Sequence, residues 1–307
     1  MPLNTGGRRG SRIPRLSPFF YLMIAPLCWA GNVVLARGIH EQIPPVAFAF
    51  WRWTAAFCLL LPFGYRSLRR DWHTTGRHWK ILIFLSLTGI AGFNTLLYKA
   101  VHTTTAVNSA LIQTAMPAVI ILISLVVFRE SVTVVQITGA ILCMIGATWV
   151  VVRGEWFKIF SIEWVHGDVL MMVAVVLYAF YSTFLRSRPP IHPVSFMLLT
   201  FFLGLSGLFP LYLWERFVTG PFPVDTGILA SILYVAVFPS IVAYFCWNRG
   251  IELIGANRGG LFINLIPVFA SILAVFWLGE KLQAHHAMGM LLIFSGMLLF
   301  NRKPKRK

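Results

Sequence analysis

Charge is scarce in this 307-residue chain, and acidic charge is the scarcest. Only 12% of residues are Asp, Glu, Lys or Arg, and the two acids together number ten. A water-soluble fold carries roughly 25% charged residues, so this chain cannot cover a soluble surface. Cysteine is rare as well. Cys28, Cys58, Cys143 and Cys246 each sit in apolar sequence without CxxC spacing, which argues against a disulfide framework or cysteine metal site and for reduced, packed thiols. P-loop, HExxH and GxSxG motifs are all missing, so common phosphate-binding, zinc and serine-nucleophile chemistries have no anchor. We expect no catalysis, no cofactor and no metal.

Apolar residues make up 58% of the chain, and mean hydropathy is +0.76. They come in blocks of about 20 residues, the length that crosses a hydrocarbon core as a helix. The spacing predicts an all-α polytopic membrane protein with ten spans, at 18–36, 44–63, 80–98, 105–127, 132–152, 167–186, 193–214, 227–248, 256–278 and 285–301. No join is long enough for a soluble domain. The basic stretch MPLNTGGRRGSRIPRLSPFF leads into an apolar run too long for a signal h-region, so it is expected to be retained.

The net charge of +16 is spread between the blocks and over both ends, not along one groove-facing element, so nucleic acid is not an expected partner. Of 26 basic residues, only Arg37, Lys99, Arg153, Lys158, Arg216 and Lys281 fall on the outer side if the N-terminus is inside. Arg52 lies within span 2, and the other 19 lie on the inner side. The positive-inside bias therefore places both termini in the cytoplasm of a cell inner membrane.

The two halves read alike. At an offset of 150, Leu111 pairs with Leu261, Pro117 with Pro267, Glu130 with Glu280, Gly139 with Gly289, and Gly146 with Gly296. Upstream the offset drops to 148–149, as in Pro45 with Pro193, Pro62 with Pro210, and Arg37 with Arg186. A collinear set across most of the chain means duplication, with repeats at 18–153 and 167–301. Five spans per half is an odd number, so the second half is inverted. Such inverted repeats are the architecture of alternating-access carriers.

Trp29-Ala30-Gly31-Asn32 in span 1, Pro117 leading to Phe128-Arg129-Glu130, Gly167-Asp168 opening span 6 and Pro267 leading to Leu278-Gly279-Glu280-Lys281 resemble the EamA-type drug/metabolite transporters. Within that superfamily the chain is most similar to the bacterial aromatic amino-acid exporters. The resemblance covers residues 18–301 and implies ten helices, a central cavity and export of small metabolites.

Polar groups inside spans are the candidate site, since hydrocarbon makes them costly. They comprise the amides Asn32, Asn94, Asn108, Gln113, Asn248 and Asn264, and the aromatics Trp29, Tyr98, Tyr178, Tyr181, Tyr244 and Trp247. Each has a plain alternative in interhelical hydrogen bonding or packing. Pro117 and Pro267 free backbone carbonyls and read as hinge points, or as simple kinks. Glu130 and Glu280, at equivalent span ends, read as gating groups. Trp72, Trp79, Trp156, Trp164 and Trp214 fit an interfacial belt, and the small residues of spans 5 and 10 fit close helix approach.

All ten carboxylates and all eight histidines fall at span ends or in joins, where water is expected to reach them. Proton coupling normally needs a titratable group in the bundle, so flux down a gradient is expected. Arg52 either snorkels outward or attracts a substrate carboxylate. The expected function is alternating-access export of small neutral metabolites, amino acids above all, including aromatic and apolar ones. The lipid bilayer is the other partner, and a single copy of the chain is expected to suffice. A sugar-phosphate or nucleotide-sugar carrier using Arg52, Lys99 and Arg249 is the alternative, and a polytopic membrane enzyme or scaffold is the alternative class.

Overall fold

The computed structural model describes residues 17–39, 41–160, 164–278 and 283–302, and among these every regular element is a helix. The spans are α1 (Pro18–Ile39), α2 (Pro45–Arg77), α3 (Trp79–Thr103), α4 (Asn108–Phe128), α5 (Val134–Val151), α6 (His166–Ser187), α7 (Pro193–Thr219), α8 (Thr226–Ile254), α9 (Ala256–Leu273) and α10 (Ala284–Asn301). Nine of them, α2 to α10, are long and apolar enough to cross a membrane. The 22 residues of α1 rise about 33 Å at 1.5 Å per residue, enough for the tenth. The largest overshoot is in the second span, expected to end at 63. Helix α2 runs on to Arg77, where its arginines and Asp71 carry it out of the apolar zone.

Contacts between the halves reveal the symmetry. Helices α5 and α10 form the most extensive pair. A Cβ on Gly139 would lie 2.7 Å from Gly296 O, and one on Gly146 would lie 2.8 Å from Gly289 O. Gly139 is equivalent to Gly289 and Gly146 to Gly296, so each glycine touches the equivalent of the other. That crossed pairing is the signature of a two-fold axis between antiparallel helices. Other residues touch their own equivalents and so sit on the axis itself. Trp53 and Phe201 have ring centroids 4.7 Å apart. For Trp29 and Tyr178 the separation is 5.6 Å, and Asn94 donates to the Tyr244 hydroxyl at 3.3 Å.

Helix irregularities follow the same symmetry. A π-helical segment at Leu87–Gly92 interrupts α3, and another at Ala236–Val242 interrupts α8. In α4 the helix breaks at Ala115, and a 3₁₀ segment, Leu261–Leu265, interrupts α9 after Gly260. Duplication preserved the breaks as well as the spans.

Helices α2 and α7 are joined at both ends. Pro44 offers no side-chain cap to α2. Glu215, near the end of α7, supplies one from outside, accepting Val46 N at 3.1 Å and Ala47 N at 2.7 Å. At the opposite end Asp71 of α2 accepts the His192 N–H that precedes α7, at 2.9 Å. Glu215 is buried, so both amides depend on it. Losing a helix cap costs about 0.5–2 kcal/mol, and a carboxylate at a helix N-terminus also complements the dipole. Glu215→Ala is therefore expected to destabilise the protein by about 1–2 kcal/mol. Thermal unfolding in detergent should show it, with Glu215→Asp recovering part of the loss.

Candidate functional site

The bundle centre is built by one rule in both halves. Tyr98 on α3 donates to Asn32 Oδ1 on α1 at 3.0 Å. Tyr181 on α6 donates to Asn248 Oδ1 on α8 at 2.7 Å. The repeat pairs Tyr98 with Asn248 and Asn32 with Tyr181, so the hydrogen bond persists while tyrosine and amide change places. All four side chains are buried, where an unpaired polar group costs about 1–3 kcal/mol.

The two π-helical segments contribute backbone acceptors. Gly89 O accepts from the Tyr244 hydroxyl at 2.6 Å and from Asn94 Nδ2 at 3.2 Å. Its equivalent, Pro239 O, accepts from Trp29 Nε1 at 3.1 Å and from Arg52 Nη2 at 3.0 Å. Each half thus presents a carbonyl from an irregular turn to at least one side chain of the other. Such turns recur at functional sites, and the sequence signal for one of them is Pro239, a proline in mid-span.

Only the first half brings a charge to this network. Arg52, on α2, is 1% exposed. It donates to Ser240 Oγ at 2.6 Å, Tyr98 Oη at 2.7 Å and Asn94 Oδ1 at 2.9 Å, besides Pro239 O. Its guanidinium also lies 4.9 Å from the Trp53 ring centroid, within cation–π range. The snorkelling reading is overturned, because the side chain turns inward to acceptors that the broken helices supply. Those four bonds leave one N–H of the guanidinium's five unpaired, and no carboxylate among the described residues is within ion-pair range.

Arg52 also borders a small cavity of about 30 Å³. Trp29, Asn32, Arg52, Asn94, Gln113 and Tyr178 supply its polar and aromatic lining, with Phe93, Leu97, Met116, Ile263 and Ile266 as apolar wall. The buried Tyr178 hydroxyl has no hydrogen-bond partner among the described residues. Behind the lining, Trp247 packs 5.2 Å from Trp29 and donates to Ser182 Oγ at 3.2 Å. A second cavity of about 60 Å³ shares Gln113, Ile263 and Ile266 with the first and adds Thr114, Asn264 and Pro267.

The sequence-predicted residues therefore sort into layers. Trp29, Asn32, Asn94, Gln113 and Tyr178 line the first cavity, while Tyr98, Tyr181, Tyr244, Trp247 and Asn248 brace it. Asn264 lines the second. Pro117 and Pro267 each stand just past a helix break. Asn108 does not join them. Its Nδ2 donates to Asp168 Oδ2 at 3.2 Å, so it serves the α3–α4–α6 junction instead. Glu130 binds Arg186 and accepts from Asn257 Nδ2 at 3.0 Å, tying α4 to α6 and α9. Glu280 lies outside the described residues.

Water does not reach every carboxylate, contrary to expectation. Asp168 is fully buried and Glu215 nearly so. Thr104 Oγ1 donates to Asp168 through a short bond, Val165 N donates at 3.0 Å, and Asn108 adds the third. Both acids sit at span ends as read, but helix junctions close over them. The three cations of the phosphate-carrier alternative are also not gathered. Arg249 pairs with Glu252 at 2.7 Å, nine residues along α8 from Ser240, about 14 Å at helical rise.

Compared with known proteins, the chain matches the EamA-like transporter family twice, over residues 16–152 and 165–302. It is 27% identical to "Uncharacterized transporter YyaM" of Bacillus subtilis, over 86% of this chain and 87% of that one. It is 24% identical to a Streptantibioticus cattleyicolor protein named "Probable terminal-alkyne amino-acid exporter", over 92% of each chain. A solved crystal structure superposes with a TM-score of 0.74 at 17% identity, covering 94% of this chain and 98% of its own. At that identity the superposition speaks for the fold alone.

Proposed function

The chain belongs to the EamA-like transporter family, and from that membership we propose that it exports amino acids by alternating access across the cytoplasmic membrane, with both termini in the cytoplasm. The observation that carries the reading is Arg52. A buried cation with no carboxylate in ion-pair range among the described residues, held by neutral acceptors, bordering a cavity and with one N–H to spare, is suited to a ligand carboxylate. Trp29, Phe93 and Tyr178 beside it offer the apolar and aromatic surface that an amino-acid side chain needs. A relative named as an amino-acid exporter points the same way, and the charge bias of the joins supports the orientation.

Ligand pockets usually enclose about 300–1,000 Å³, so a cavity of about 30 Å³ is a contracted state of the site. Widening falls to the symmetric breaks at Ala115 and Leu261–Leu265, where Pro117 and Pro267 already interrupt the hydrogen-bond ladder. Glu130, bridging to Arg186 and Asn257, acts as a gate at the face where both termini lie.

Energy coupling follows from what the buried acids do. Asp168 and Glu215 each accept backbone N–H groups at helix starts, and a proton on either would displace a donor that its helix needs. We therefore expect counterflow and downhill flux of labelled amino acids in proteoliposomes without a pH gradient. Imposing a pH step should produce no lasting accumulation. Uncoupler-sensitive concentrative uptake would refute the gradient-driven cycle and make Asp168→Asn the first variant to examine. No flux of any amino acid would refute the substrate class.

A further inference from the structure

The first cavity accounts for a substrate's carboxylate and apolar parts, but not for Asn264. This side chain is 1% exposed, yet neither its Oδ1 nor its Nδ2 has a hydrogen-bond partner among the described residues. A buried amide left unpaired is costly, and buried polar atoms in native proteins are nearly all satisfied. Asn264 stands in the 3₁₀ segment Leu261–Leu265, and its side chain lines the cavity of about 60 Å³ against Gln113 and Pro267. That volume admits one or two waters.

Gln113 joins the two cavities. It lines both, and its Nε2 donates to Ser109 O at 3.2 Å, which leaves its carbonyl oxygen available as an acceptor. Arg52 borders only the first cavity and Asn264 only the second. Gln113, Ile263 and Ile266 line both cavities and so lie at their boundary.

We infer that the site reads a second hydrogen-bonding group on the substrate, at the end away from the carboxylate, through Asn264 with Gln113. This rests on the amino-acid reading above and narrows it: the preferred substrates are amino acids whose side chain ends in a hydroxyl or an amide. The reason is asymmetric recognition. A site built to hydrogen-bond a polar group discriminates strongly against an analogue lacking it, because its own buried groups are then stranded, whereas an apolar pocket discriminates weakly.

The test is competition for flux in proteoliposomes between shape-matched pairs: threonine against valine, tyrosine against phenylalanine, and glutamine against methionine. Wild-type protein is expected to favour the polar member of at least one pair by tenfold or more. Asn264→Leu, close in size and unable to hydrogen-bond, is expected to abolish that preference, lowering flux of the polar member relative to the apolar one about tenfold. Gln113→Leu provides a second variant should Asn264→Leu fold poorly. If Asn264 serves only a resident structural water, Asn264→Leu shifts the thermal unfolding midpoint and leaves the preference unchanged, which overturns the inference. Apolar members winning every pair in wild type overturns it too, with amino-acid export intact. Absence of all amino-acid flux overturns export and inference together.

Discussion

Replacing Arg52 with leucine is expected to weaken amino-acid binding by about 10- to 150-fold. A hydrogen bond to a charged group contributes about 1.5–3 kcal/mol, and each 1.4 kcal/mol is a factor of ten in affinity. The substitution also strips Asn94 Oδ1 and the Tyr98 hydroxyl of the guanidinium donors they now receive. Pro239 O keeps its bond from Trp29 Nε1, and Ser240 still donates to Val235 O, so the broken turn of α8 should survive. Arg52→Lys keeps the charge but not the fork that serves four acceptors in four directions, and should bind tighter than leucine yet weaker than wild type. Ligand-dependent thermal stabilisation measures this directly, and comparing amino acids with their amides isolates the carboxylate. If Arg52→Leu lowers the unfolding midpoint while amino acids still stabilise it as in wild type, Arg52 is a structural cation and the carboxylate is read elsewhere.

Sequence reading reached the architecture because the bilayer leaves little freedom. Apolar blocks of span length separated by short charged joins admit few arrangements, and odd-numbered repeats force inversion. Duplication was legible wherever side chains matched, as at Pro117 and Pro267. It was hidden where the side chains change places. Tyr98 opposite Asn248 looks like a mismatch in sequence, although the pairs Tyr98–Asn32 and Tyr181–Asn248 preserve a single hydrogen bond. The π-helical turns left little trace, since ordinary helix formers fill Leu87–Gly92.

Charge was the least legible feature. A lone arginine two turns into a span is compatible with snorkelling on length alone. Deciding between outward and inward rotamers takes knowledge of the acceptors, and those come from α3 and α8, 42 to 188 residues away. Likewise a carboxylate at a span end is wet by default. Asp168 is dry because Thr104 and Asn108, from a different join, close over it. Both corrections involve long-range hydrogen bonds, which periodicity and hydropathy do not register.

Gly296→Leu is expected to abolish recovery of folded protein, and the argument is steric. A Cβ at position 296 would lie 2.5 Å from Gly139 O, 2.7 Å from Cys143 Sγ and 2.8 Å from Cys143 N. Two of those three are backbone atoms, so no rotamer change relieves the clash and α5 must part from α10. Overpacking a tight contact typically costs about 1–3 kcal/mol, and here the larger side chain acts on a seam that the symmetry uses four times. Small residues are what allow backbones to approach so closely in lipid, where no hydrophobic force draws helices together. Alanine at the same position already places the offending Cβ and should lower the unfolding midpoint measurably. Gly76, with nothing within 4 Å of its added Cβ, is the control: Gly76→Ala should be neutral, or stabilising by about 0.5–1 kcal/mol through helix propensity. Neither cavity takes a side chain from α5 or α10. Whatever Gly296→Ala protein survives purification should therefore keep the wild-type order of substrate preference. A changed order with an unchanged unfolding midpoint would place the α5–α10 seam in the transport path.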